Sequence, residues 1–311
     1  MDRRTFLAGI GAAGVLSLPA SAAWAQLKKP VVGLVMKSLA NEFFKNMQEG
    51  ALRHVEERGD CTLIPLGIQS ETDIDGQIAL VENLITRKVD AIVIAPADSR
   101  ALISPLVRAA KAGIKLVNID VLLDANALKK HHVEIVFVGP DNKEGAKMSA
   151  DVLAKALGAG GKVVILEGNP GAANGVQRKE GFMESIAQYK LDLLDSRTAH
   201  WETEEANTVF SNMLTAHPDI QGVMAGNDDM AIGVVKAIEA AGKKGQIKVI
   251  GFDGIAAIQP LIKNGEVLAT VDQFGAQLAA DGIDAAMKEI GGQTLTGWVK
   301  TPMKLETAAT I

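Results

Sequence analysis

The chain reads as an α/β protein of two doubly wound parallel-sheet lobes. Strand-like and helix-like segments alternate from residue 31 to near the C-terminus. The alternation restarts near residue 140 with a second set of the same design. No low-complexity or Pro-rich stretch separates the two sets, so chain crossings rather than a flexible tether should join them.

In the first half, the short apolar run Val31–Met36 has the character of a buried parallel strand. Asn41–Arg58 follows, with Phe44, Met47, Leu52 and Val55 at helical spacing. Thr62–Leu66 is a second strand, and Asp73–Arg87 a helix with Ile74, Ile78, Val81 and Ile85 on one face. Ala91–Ala95 is a third strand bounded by Pro96, and Ala101–Ala112 a helix closed by Gly113. Lys115–Asp120 and Glu134–Val138 complete five strands. In the second half, helices are expected over Asn142–Leu157, Gly175–Gln188, Thr203–Ala216, Asp229–Ala241, Ile255–Lys263 and Gln273–Gly291. Strands are expected over Lys162–Glu167, Leu193–Ala199, Ile220–Gly226, Lys248–Phe252, Leu268–Asp272 and, at the end, Lys300–Leu305.

Residues 1–25 have the pattern of an export signal. Arg3 and Arg4 precede Phe6-Leu7, an apolar run follows from Ala8 to Leu18, and Ala23-Trp24-Ala25 ends it as a small-x-small cleavage site. The arginine pair is similar to a twin-arginine address. Cleavage after Ala25 would leave a periplasmic protein beginning at Gln26, with no cysteine there to take a lipid. Gly9-Ile-Gly11-Ala-Ala-Gly14 matches a dinucleotide fingerprint, but it lies inside this segment and not between a strand and a helix. The net charge is −5, and losing the +1 of residues 1–25 makes it −6. A mildly acidic chain without a basic block is a poor nucleic-acid binder. The single cysteine, Cys61, rules out an intramolecular disulfide.

In open α/β sheets, ligands sit beyond the carboxyl ends of the strands. The residues there are rich in amides, carboxylates and aromatics: Lys37, Asn41, Phe43, Phe44, Asp98, Asp120, Asp141, Asn169, Asn174, Trp201, Asn227, Asp228, Asp253, Asp272 and Gln273, with Arg178 opening the helix after the Asn169 loop. Only 4% of the chain is aromatic, which gives the Phe43-Phe44 pair weight. Hydroxyl groups donate and accept, and planar polar side chains match them. The C–H faces of a sugar pack on aromatic rings. Each residue also has a structural reading: an Asp or Asn after a strand commonly caps a helix or makes a turn. Phe43, Phe44 or Trp201 could serve as core, and Arg178 could lie on a solvated helix face.

Several stretches carry a family resemblance. Gly33-Leu-Val-Met-Lys-Ser-Leu-Ala-Asn41-Glu-Phe43-Phe44, Ile94-Ala-Pro96-Ala-Asp98-Ser99 and Asp141-Asn142 are three of them. Leu214-Thr-Ala-His217-Pro218-Asp219 leading to Ala225-Gly-Asn227-Asp228-Asp-Met230-Ala231 is more specific, as are Val249-Ile-Gly251-Phe252-Asp253-Gly254 and Ala269-Thr-Val-Asp-Gln273. With these the chain resembles the ribose-binding-protein-like periplasmic sugar-binding proteins of ABC transporters (type I periplasmic binding proteins) along nearly the whole mature length. The resemblance implies sugar contacts at Asn41, Phe43, Phe44, Asp120, Arg178, Trp201, Asn227, Asp253 and Gln273. Lys37 stands where ribose binders have a small hydroxyl residue and Asn169 where they have an apolar one, so both join the candidate ligand-binding set. Ala95 replaces an amide, and Val121 an arginine. These departures point away from ribose itself, toward another pentose or hexose, an alditol or a cyclitol. The resemblance further implies three crossings, near Gly139–Asp141, Gln273–Gly275 and Val299–Met303. They would divide the mature chain into an N-terminal lobe of residues 26–139 plus 275–300 and a C-terminal lobe of 140–274 plus 301–311. A hinge-closing monomer is expected, with a membrane permease as partner, or a chemoreceptor reading the same closed form.

Competing functions find less support. Asp228 and Asp229 are adjacent and do not face each other as an acid/base pair. Gly160-Gly161-Lys162 is followed by Val163, so it is not a phosphate-cradling loop. The five histidines, His54, His131, His132, His200 and His217, lack metal-ligand spacing. A sugar-sensing repressor needs a helix-turn-helix where the export signal stands. No catalytic residue, metal or cofactor is expected.

Overall fold

The computed structural model describes residues 28–311; the expected export signal lies outside the described residues. Two six-stranded sheets organise the described residues. The first has the order β11-β5-β4-β3-β1-β2, with β1 Val31–Ser38, β2 Thr62–Ile68, β3 Ala91–Ile94, β4 Lys115–Ile119, β5 Val136–Gly139 and β11 Trp298–Lys300. The second has the order β12-β10-β9-β8-β6-β7, with β6 Lys162–Glu167, β7 Asp192–Thr198, β8 Gly222–Ala225, β9 Lys248–Ile250, β10 Val267–Asp272 and β12 Lys304–Thr307. In each sheet the strand order turns back beside the first strand of its half, so a crevice opens at that strand's carboxyl end.

Side-chain alternation puts a hydrophobic layer on each face of both sheets. In β1, Val32, Leu34 and Met36 face the helices α1 (Glu42–Arg58) and α10 (Gly275–Ile290). Val35 faces the opposite layer, with α2 (Ile74–Thr86) and α3 (Ile103–Lys111). In β6, Val163 and Ile165 pack with α5 (Asn142–Leu157) and α6 (Ala173–Tyr189). Val164 and Leu166 pack with α7 (Thr203–Ala216) and α8 (Asp228–Ala240). Burial on both faces explains why these strands are continuous apolar runs rather than alternating ones.

Four expectations need correction. The terminal strand expected over Lys300–Leu305 is two strands: β11 pairs in parallel with β5 of the first sheet, and β12 pairs with β10 of the second. Thr301-Pro302-Met303 lies between them, and a proline has no N–H with which to continue a ladder. The β10–β12 pairing is antiparallel, so the second sheet is mostly rather than wholly parallel. The last long helix begins at Gly275, two residues later than expected, because Phe274 adopts a left-handed backbone (φ 53°). A short helix, α4 (Ala125–Lys130), was not expected; it has too few residues to show a helical period, and its cap Asp124 accepts from the N–H of Ala127 at 2.9 Å.

The lobes meet at the strand tips. The N–H of Ser99 donates to Gly171 O at 3.0 Å, and the N–H of Ala173 to Ser99 Oγ at 2.9 Å. The Glu42 carboxylate accepts from the N–H groups of Ala256 and Ala257 at 3.0 and 3.3 Å. The 3₁₀ turn Ala256–Ile258 and α9 (Gln259–Lys263) sit at that rim. These bonds join distant parts of the chain and hold the cleft shut.

Candidate functional site

The closed cleft encloses a small, tightly lined cavity. It is lined by Lys37, Asn41, Phe43, Phe44, Asp120, Asn174, Arg178, Trp201, Asn227, Asp253 and Gln273. The lining side chains lie at strand tips or in the first turn of the following helix, as the crevice rule requires, except Arg178, which reaches in from the second turn of α6.

The first sheet contributes two phenyl rings, Asn41, the Lys37 ammonium and the Asp120 carboxyl. Asn41 caps α1, accepting from the N–H of Phe43 at 2.9 Å, and so presents Phe43 and Phe44 in the first turn. The two rings meet edge to face, 5.1 Å between centroids. Gly275 packs on Phe43; a Cβ there would come within 2.6 Å of the ring. Lys37, the last but one residue of β1, has its Nζ 5.1 Å from the Phe44 centroid and 5.2 Å from that of Trp201. Glu71 Oε2 lies 2.8 Å from that ammonium, both side chains buried. Asp120 follows β4.

The second sheet contributes a cross-linked polar wall. Arg178 Nε donates to Asn142 Oδ1 at 2.9 Å, and Nη1 donates to Gly226 O at 2.8 Å and to Asp253 Oδ1 at 3.2 Å. Its guanidinium stacks on Phe252, 3.7 Å from the ring centroid. Gln273 Nε2 also donates to Asp253 Oδ1, at 2.8 Å. Asn227 caps α8 through the N–H of Met230, and its Nδ2 donates to Trp201 O at 3.3 Å. The Trp201 indole lies against Gly168 so closely that a Cβ at that position would overlap the ring.

Three cavity residues hold left-handed backbones that L-residues rarely adopt: Asp120 (φ 63°), Trp201 (φ 72°) and Asp253 (φ 125°). Such strain clusters where the surrounding structure imposes a geometry for function. At Asp253 the source is visible: the buried Asp228 carboxylate accepts from the N–H groups of Gly254 and Ile255 at 2.8 and 3.1 Å and from the Thr270 hydroxyl at 2.7 Å.

Burial pushes the Asp253 carboxyl up to about 7; Arg178 opposes the shift and Asp120 adds to it. Burial also raises Asp120, against the pull of Lys37 and Arg178, and raises Glu71, against Lys37. Four buried polar atoms of the lining have no protein partner: Asp120 Oδ2, Asn174 Oδ1, Trp201 Nε1 and Gln273 Oε1. Buried polar groups are rarely left so, and each costs about 1–3 kcal/mol when it is. Four around one small cavity call for a guest with several hydroxyls.

Ten of the eleven residues expected at the site line this cavity. Asn169 does not. Its Oδ1 accepts from the N–H of Gly171 at 2.9 Å, and its Nδ2 reaches across to Ala97 O at 3.4 Å, so it ties a loop and bridges the lobes. Asn174, in the first turn of α6, lines the cavity in its place. Both amides stand at the tip of β6, and only the turn between them decides which one points inward. Glu71, behind Lys37 and Asn41, is absent from the sequence-based set because it lies three residues past β2, in a loop with no motif.

Two lobes closed on a cavity lined with polar and aromatic groups define a protein that works by enclosing a small molecule. The chain belongs to the periplasmic binding protein domain family, whose profile matches residues 32–294. It is 45% identical to a D-ribose/D-allose-binding protein of Pseudomonas aeruginosa, covering 99% of this chain and 98% of the relative. Among solved structures it resembles an ABC transporter solute-binding protein of Burkholderia multivorans, whose unknown ligand was built as α-D-erythrofuranose. The TM-score is 0.88 and the identity 46%, over 90% of this chain and 99% of the other. It also resembles a periplasmic solute-binding protein of Actinobacillus succinogenes with bound D-allose, at TM-score 0.86 and 40% identity, over 91% and 99%.

Proposed function

We propose that this chain is the exported, substrate-binding component of an ABC importer, and that it captures one neutral monosaccharide or sugar alcohol without altering it. The four unpartnered buried atoms around the cavity carry this reading. Three of them, on Asp120, Asn174 and Gln273, accept hydrogen bonds, and the Trp201 N–H donates. A guest satisfying them must donate at least three times and accept at least once, which a polyol does and an apolar ring does not. Phe43, Phe44 and Trp201 suit its C–H faces, and Arg178, Asn227, Asn41 and Lys37 supply further donors. The relatives named for D-ribose and D-allose support an aldopentose or aldohexose.

Capture proceeds by hinge closure. Residues 26–139 plus 275–300 and residues 140–274 plus 301–311 are the two bodies, and a ligand touching both favours the closed state through its differential affinity. The closed surface is what a membrane permease reads. Residues 1–25 act as a twin-arginine-type signal and deliver the mature chain to the periplasm; N-terminal sequencing of the exported protein should begin at Gln26.

A thermal-shift screen of the mature protein against pentoses, hexoses, alditols and cyclitols tests the binding role. A ligand at a hundred times its Kd stabilises by about 2.7 kcal/mol, a readily measured shift. No shift with any member of the panel would sink the reading.

A further inference from the structure

Glu71 lies outside the cavity, and its position asks for a reason. It sits in the loop between β2 and α2, almost wholly buried. Three contacts converge on it. Its Oε2 lies 2.8 Å from Lys37 Nζ, and its Oε1 accepts from Asn41 Nδ2 at 3.3 Å. Its backbone N–H donates to Glu202 Oε1 of the opposite lobe at 3.0 Å. Lys37 and Asn41 are cavity residues, and Glu202 follows Trp201, another cavity residue.

We propose that Glu71 is a positioning residue that ties ligand recognition to lobe closure; the proposal rests on the sugar-binding reading above. A buried ammonium needs a counter-charge, and a lysine side chain has many rotamers to lose. The Glu71 carboxylate supplies the charge and selects one rotamer, which places Lys37 between the Phe44 and Trp201 rings. The same carboxylate orients the Asn41 amide. With its side chain held under Lys37, the Glu71 loop presents its N–H outward, where Glu202 reaches it as the lobes meet. Lys37, Asn41 and the Trp201–Glu202 turn thus share one anchor, so correct seating of a sugar and formation of the latch reinforce each other.

The experiment measures binding of D-ribose and D-allose to the full mature chain by calorimetry and stopped-flow. Glu71→Gln keeps the shape and removes the charge. It should weaken the better ligand at least about tenfold, the loss expected for a charged hydrogen bond. It should also move the D-ribose:D-allose affinity ratio in the same direction as Lys37→Met does. In the Lys37→Met background the same substitution should cost no more than about twofold, because the group it orients is gone. A merely structural role would weaken both sugars equally and on both backgrounds, and that result overturns the proposal. So does wild-type affinity in Glu71→Gln. Should Glu71→Gln fail to fold, Glu202→Ala decides. It leaves every cavity side chain in place and should raise the dissociation rate about fivefold or more, with the association rate unchanged. An unchanged dissociation rate overturns the proposal. If the wild-type chain binds no sugar, the reading of the site falls, and this proposal with it; binding that the variants preserve defeats this proposal alone.

Discussion

The two walls of the cavity are built differently. On the second-sheet side, Arg178 joins Asn142, Gly226 and Asp253, and Gln273 joins Asp253 again, so the wall is held in place before any ligand arrives. On the first-sheet side stand two phenyl rings, the Lys37–Glu71 pair and Asp120, whose Oδ2 has no protein partner. The second-sheet wall is cross-linked by its own bonds and still offers three unpartnered atoms, on Asn174, Trp201 and Gln273; the first-sheet wall has no such cross-link at Asp120, whose Oδ2 is left to the guest. Polar groups that already bond one another lose little order on binding and make a firm template. A group left unpaired makes the closed state costly until a ligand satisfies it.

Substitutions on opposite walls should therefore behave differently. Arg178→Ala removes the cation beside a buried carboxylate. Stripping one partner from such a pair costs about 3–5 kcal/mol, so urea denaturation should show a large loss of stability along with loss of the ligand-induced thermal shift. A stability loss below about 1 kcal/mol would mean that the network is not holding the wall. Asp120→Asn should do the opposite: unliganded stability stays level or rises, because a buried charge without a partner has gone. Affinity should fall about 10- to 100-fold, the range for a lost charged hydrogen bond. A large stability loss in Asp120→Asn would erase the distinction between the walls. Trp201→Phe keeps a ring against Gly168 and deletes the unpartnered N–H, so about 1 kcal/mol of affinity should go while the unfolding midpoint holds.

The buried carboxyls also give the wall a pH dependence. Asp253 and Asp229 both titrate near 7 when folded, chiefly through burial. A carboxyl raised in the folded state binds its proton more tightly there than in the unfolded chain. Its contribution to stability is complete below the unfolded value of about 3.9 and is lost as pH rises toward 7. Surface carboxylates lowered by hydrogen bonds, Asp124 chiefly from the Ala127 N–H and then Arg100, and Asp219 from Lys162, push the other way. The readable quantity is the difference between wild type and Asp253→Asn in the unliganded state. Relative to the variant, the wild type should lose stability between about pH 4 and 7; a flat difference would count against a proton on Asp253.

Much of this could be read from the chain itself. Strands such as Ala91–Ile94 and Lys162–Glu167 were legible because burial on both faces leaves uninterrupted apolar runs. Asn41 and Asn227 were ambiguous between cap and ligand contact, and the structure gives both the cap and the cavity position at once. The capping oxygen points into the helix, and the amide nitrogen gives one hydrogen to Glu71 or to Trp201 O and keeps the second for the site. Asn169 and Asn174 could not be told apart, since their roles depend on one turn. Glu71 and Asp228 were out of reach as supports, because a buried carboxylate that positions another side chain has no sequence pattern of its own.

The sequence alone determined which segments form strands and helices, how they repeat, and that polar and aromatic residues gather at the strand tips, because those properties follow from local periodicity and from the geometry of open α/β sheets. Tertiary structure decided the splitting of the C-terminal segment between two sheets, the choice of amide at the β6 tip, and which buried atoms remain unpartnered. These depend on through-space contacts between residues far apart in the chain, which no local pattern records.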